Sequence, residues 1–101
     1  MDSMRAPSSR EVYQCLRDVA MGVEPLQVCA RPRPDLIEVS SAGWQLSLII
    51  DPEGLAHCAS CCNPQGVSSN GDSWQRYGTN PVELLSIWER RQIELLLGLD
   101  S

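Results

Sequence analysis

The chain has 101 residues, of which 43% are hydrophobic and 21% charged, enough for one domain with its own core and unlike either a disordered or a membrane protein. Its net charge is −5 and all eight basic residues are arginine, so the clustered positive charge needed to hold a phosphate backbone is absent and direct nucleic-acid binding is not expected. Apolar runs such as Leu48 to Ile50 do not exceed three residues, far short of a bilayer span, and the opening MDSMRAPSSR has no apolar signal-peptide core, which makes the cytoplasm the expected compartment.

Residues 1–7 are expected to fray. Ser8 and Glu11 have the spacing of a capping box, which predicts an amphipathic helix to about Met21 closed by Gly22. Val12, Cys15, Leu16 and Val19 form its apolar stripe, widened by Tyr13 and Ala20. Leu26, Val28 and Ala30 alternate as in a short edge strand, whereas Arg31-Pro32-Arg33-Pro34 contains two residues without an N–H and reads as a stiff linker.

Three strand signals come next, Leu36 to Ser40, Trp44 to Ile50 and Leu55 to Cys62. Ser41-Ala42-Gly43 joins the first two, and Asp51-Pro52-Glu53-Gly54 joins the last two with the chemistry of a type I turn. Asn63-Pro64-Gln65-Gly66 repeats that pattern and ends the third strand. Short connections pair strands antiparallel, so a three-stranded β-meander is predicted. Val67 to Gly78 reads as a loop, mobile over 67–73, with Trp74 and Tyr77 tucking its far end under the C-terminal segment.

From Thr79 to Ser101 the punctuation is that of one helix: Asn80 as cap, Pro81 at the first position, Glu83 in the first turn and Gly98 as the stop. Leu84, Leu85, Trp88, Leu95, Leu96 and Leu99 share an arc of roughly 120° and are the expected core face. Val82, Ile93 and Leu97 form a second apolar arc, for packing on the first helix or for self-association in a two-fold homodimer. The whole predicts a single α+β domain over 1–101: N-terminal helix, three-stranded antiparallel β-meander and C-terminal helix in two layers.

The segment Arg76-Tyr77-Gly78-Thr79-Asn80-Pro81-Val82-Glu83-Leu84-Leu85-Ser86-Ile87-Trp88-Glu89, with Gly43-Trp44 and the Asp51 to Leu55 turn, resembles a family of small uncharacterised proteins of pseudomonads and their mobile elements. The resemblance runs from the first helix to the last and implies no catalytic residue, because that family has no assigned activity. The lysine-free composition fits a GC-rich genome of that kind.

Between Arg33 and Arg76 no Lys or Arg occurs, while Asp35, Glu38, Asp51, Glu53 and Asp72 all lie there. A segment of one sign attracts cations or a basic partner, and Trp74 beside the loop tip is the aromatic free to join in. These six are the expected partner-binding residues. His57-Cys58-Ala59-Ser60-Cys61-Cys62 contains a C-x-x-C. In a regular strand, however, His57 and Cys61 share one face, Cys58 and Cys62 the other, and Cys58 stands about 10 Å from Cys61. No metal or other cofactor is therefore expected, and His57, Cys58, Cys61 and Cys62 are metal candidates only under an alternative, a cysteine-centred metal or redox protein. His57, the sole histidine, has only Ser60 and Asp72 as nearby candidates, and no catalytic motif is present.

The functional expectation is accordingly a small acidic, non-enzymatic protein-interaction module. Its concrete version is a phage or mobile-element inhibitor, anti-CRISPR-like, whose carboxylates meet the basic surface of a host complex. A regulatory homodimer is a further alternative.

Overall fold

A computed structural model describes residues 7–70, 74 and 79–98. Residues 1–6 of the expected frayed start, the loop tip with Asp72, Tyr77 and Leu99 lie outside these, whereas Pro7, expected to fray, is buried. The order is α1 (Ser9–Ala20), β1 (Gln27–Arg33), β2 (Leu36–Ser41), β3 (Trp44–Asp51), β4 (Gly54–Cys62), β5 (Ser68–Asn70), a 3-10 turn (Pro81–Leu84) and α2 (Ile87–Leu96). The class is α+β as expected, but the antiparallel sheet has five strands, in the order β1-β2-β3-β4-β5, rather than three.

Local chemistry sets α1. Ser8 Oγ accepts from Glu11 N at 3.2 Å and Ser8 N donates to Glu11 Oε1 at 2.8 Å, closing a capping box. Val12, Cys15, Leu16, Val19 and Ala20 are buried and join the inner face of the sheet in one continuous core. That inner face carries Ile37 and Val39 from β2, Leu46, Leu48 and Ile50 from β3, and Leu55, Cys58 and Cys61 from β4.

Of the two added strands, β1 extends the short edge strand expected around Leu26 to Ala30 into the segment read as a stiff linker, and β5 comes from the expected loop. Arg31-Pro32-Arg33 continues β1, pairing Arg33 with Leu36, because register shifts on either side of Ala30 accommodate Pro32 on an edge where its missing N–H is not needed. Ser68–Asn70 pair with Ser60, Cys61 and Cys62, so part of the expected mobile loop is a strand. Its hairpin is held by Asn63, whose Oδ1 accepts from Gln65 N at 3.0 Å and Val67 N at 2.8 Å.

On β4 the expected alternation fails. Leu48 pairs with Cys58 but Ser47 with Ser60, and Ile50 pairs with Leu55 but Ile49 with His57, so Ala56 and Ala59 are each an extra residue. Two bulges within one strand turn a period of two into three. Leu55, Cys58 and Cys61 consequently all face the core, and Cys58 and Cys61 share the face on which a regular strand would have separated them.

The C-terminal stretch is not one helix. Asn80 caps only the 3-10 turn, Leu85 is extended at φ −74, ψ 143, and Ser86 opens α2 with a second capping box to Glu89. The Asn80 side chain is committed to β4: its Oδ1 accepts from Cys58 N at 3.0 Å and its Nδ2 donates to Cys58 O at 2.9 Å. An amide spliced onto the strand in this way holds Pro81–Leu84 against β4, and α2 must restart to lie beside α1. Arg90 then donates to Val82 O at 3.3 Å across the break.

Candidate interaction face

Restarting the helix exchanges its expected faces. Val82, Ile93 and Leu97, expected as a self-association arc, are buried in the core at 0%, 0% and 7% exposure. They pack in the intramolecular manner, with α1 lying against the 3-10 turn and α2. Among the described residues of the expected core face only Leu85 is buried. Leu84, Trp88, Leu95 and Leu96 are exposed, joined by Ile87 at 91%. The reason is the lost phase: an arc drawn through Leu85 assumes continuous 100° steps, and the extended residue breaks them.

Around α2 the outer arc runs Ile87, Arg91, Leu95, Trp88, Gln92, Leu96. Beside it Val19, Val23, Leu26, Leu95 and Leu96 line an open groove of about 400 Å³ between the end of α1 and α2. Val23 is 66% exposed and Met21 52%. These exposed apolar side chains lie together on the layer formed by α2 and the end of α1.

The carboxylates divide into two sets. Asp35 in the β1–β2 turn and Asp51 and Glu53 in the β3–β4 turn are exposed at one end of the sheet, where Ile50 N donates to Asp35 O at 2.9 Å. Glu38 is exposed on β2 nearby, on the sheet face opposite the core. The fold also brings arginines to that end, with Arg33 paired to Asp35 at 3.4 Å and Arg31 donating to Pro34 O at 3.0 Å. The expected one-sign segment is thus neutralised in part by residues just outside it, because β1 folds back along β2. Trp74, expected at the binding surface, is 3% exposed and belongs to the core.

The second set has no counterpart among the sequence expectations. Glu11, Asp18 and Glu24 line a groove of about 280 Å³ with Cys15, Ala42 and half-buried Trp44. Glu11 and Asp18 are two turns apart on α1, a spacing visible in the sequence, but only the fold brings Glu24 and the β2–β3 turn to them. Glu24 also lines the apolar groove, so the two surfaces are continuous.

The family model for a domain of unknown function, DUF7693, matches residues 7–99. The chain belongs to that family. No curated protein and no solved structure matches it. In this DUF7693 chain no helix among the described residues is long and apolar enough to cross a membrane.

Its cysteine chemistry is muted. All five thiols are free. Burial pushes the Cys15 thiol from 9.0 to about 11, helped by the nearby carboxylates of Asp18 and Glu24, and pushes Cys61 to about 11. Burial drives Cys58 higher still, with Cys61 adding to it. Thiols raised in this way stay protonated at neutral pH, which lowers their reactivity. Among the metal candidates, His57 is exposed on the outer side of β4 and Cys62 is half-buried, while Cys58 and Cys61 are in the core. Among the described residues no three His, Cys, Asp or Glu side chains are placed to hold a metal. Cys29, exposed on the edge strand, donates to Ser40 Oγ at 3.4 Å.

Proposed function

We propose that this domain is a non-catalytic protein-interaction module that presents the outer face of α2 and the adjoining groove to another protein. The observation that carries this reading is the exposure of Ile87, Trp88, Leu95 and Leu96 on a helix whose opposite side buries Ile93, Glu94 and Leu97. Water contact of that apolar surface costs about 25 cal/mol per Å² relative to burial, and association is the direct way to recover it. Trp88 supplies the large aromatic anchor typical of interface centres. Five unpaired thiols suit a reducing cytosol.

For a foreign partner, the carboxylates of Glu11, Asp18 and Glu24 beside the face favour basic rim residues. The likeness to mobile-element proteins of pseudomonads makes an inhibitor of a host nucleic-acid-handling complex, anti-CRISPR-like in action, the concrete form of that case. The test is affinity capture from extracts of the native host with the wild-type chain and with Trp88→Glu/Leu96→Glu. A partner held by the wild type and lost by the folded variant is expected. Identical capture by both proteins overturns the assignment of this face.

A further inference from the structure

We infer that the occupant of this face is a second copy of the chain, docked antiparallel through α2 about a two-fold axis between Arg91 and Gln92. This deepens the interaction reading and rests on it. The side chains of the outer arc are arranged symmetrically about that midpoint: Ile87 corresponds to Leu96, Trp88 to Leu95, and Arg91 to Gln92. An isologous interface requires that the patch complement its own rotated image, and an antiparallel α2 pair meets this by laying Trp88 over the second copy's Leu95, with Ile87 on one flank of the seam and Leu96 on the other. At about 100° and 1.5 Å per residue, Trp88 and Leu95 lie within about 20° of one line and about 10 Å apart, which gives a seam with an apolar contact at each end. A foreign partner imposes no such symmetry.

Charge permits the contact at its centre. Between Ile87 and Leu96 on the outer arc Arg91 is the one charged side chain, and its guanidinium lies 3.9 Å from Glu94 of its own helix. The two arginines therefore meet near the axis partly neutralised, with their apolar stems against the seam. The exposed parts of Val23, Ile87, Trp88, Leu95 and Leu96 amount to an area on the order of 600 Å² per chain, close to the ~800 Å² that a partner contributes to a stable interface, before the stems of Arg91 and Gln92 are added.

The net charge of −5 supplies a signature. Two copies repel at long range, so salt screens the repulsion and tightens the dimer, whereas a basic partner would bind more weakly in salt. The experiment is sedimentation velocity on the full chain up to high micromolar concentration, at low and physiological ionic strength. We expect a dimer that strengthens with salt. Trp88→Glu and Leu95→Glu should each weaken it at least tenfold while leaving the circular dichroism spectrum of the folded chain unchanged. In a Cys29→Ser background, Trp88→Cys chains should form disulfides with Leu95→Cys chains in preference to other Trp88→Cys chains.

A chain that remains monomeric throughout overturns the inference, as does a dimer indifferent to Trp88→Glu or one in which Trp88→Cys cross-links to itself equally fast. A monomer that still captures a foreign protein through this face ends the dimer and keeps the interaction reading. A monomer that captures nothing ends both.

Discussion

Gly54 and Glu94 form the contact that fixes α2 on the sheet, and replacing the glycine tests it. Glu94 is only 8% exposed, and its carboxylate accepts from Leu55 N at 2.9 Å, tying the β3–β4 turn to a helix 39 residues further on. Gly54 has φ +126, and a Cβ added there would sit 2.7 Å from the Glu94 carboxyl carbon, closer than real contacts allow. Gly54→Ala therefore meets two costs. The backbone conformation is strained for an L-residue by about 1–3 kcal/mol, and displacing the carboxylate breaks a charge-assisted hydrogen bond of about 1.5–3 kcal/mol. Together these give a loss of about 3–5 kcal/mol, a large fraction of the 5–15 kcal/mol typical of a domain. Urea denaturation monitored by circular dichroism measures it. In a Glu94→Ala background the same substitution should cost only the backbone strain, so the double mutant should be more stable than the sum of the single losses predicts. A Gly54→Ala loss below about 1 kcal/mol, or single effects that simply add, would refute the contact as the source.

Single contacts elsewhere carry further expectations. Asn80→Ala leaves Cys58 N–H and C=O without the amide partners they have at 3.0 and 2.9 Å. A loss of about 2–4 kcal/mol is expected in thermal melts, and Asn80→Asp should also destabilise because the donor to Cys58 O is gone. Ala42 lies at φ 52 beside Gly43 at φ 86, the two-residue hairpin loop that favours Asn-Gly, so Ala42→Asn should raise stability by about 0.5–1 kcal/mol and an unchanged melt would contradict that assignment. Cys29 should react with a maleimide in the native protein, whereas Cys15, Cys58 and Cys61 should react only on unfolding, as mass spectrometry of labelled chains can show. Because burial raises the thiols of Cys15 and Cys61 from 9.0 to about 11, their contribution is complete below pH 9 and is lost as pH rises. The unfolded chain releases those protons first, so each thiol should steepen the decline between about pH 9 and 11 by up to ~1.4 kcal/mol per pH unit, and Cys61→Ala should flatten the profile.

Features set by near neighbours along the chain were legible without the fold. The capping box of Ser8 and Glu11 with its stripe made α1 legible, and Asp51-Pro52-Glu53-Gly54 made the central hairpin legible, since each is a signal complete within a few residues. Ser86 and Glu89 carried an equally local signal for the start of α2, masked by the stronger-looking start at Asn80. Contacts between distant segments set the rest. Pro32 belongs to a strand because β2 offers an edge, and Cys58 faces Cys61's side because β4 gains Ala56 and Ala59 against β3. The candidate face was hidden for the same reason: Asn80 commits its amide to Cys58, 22 residues away, the helix breaks at Leu85, and every residue after it turns to a different side. Helical phase is a sum of local steps, and one long-range hydrogen-bonding choice resets the sum.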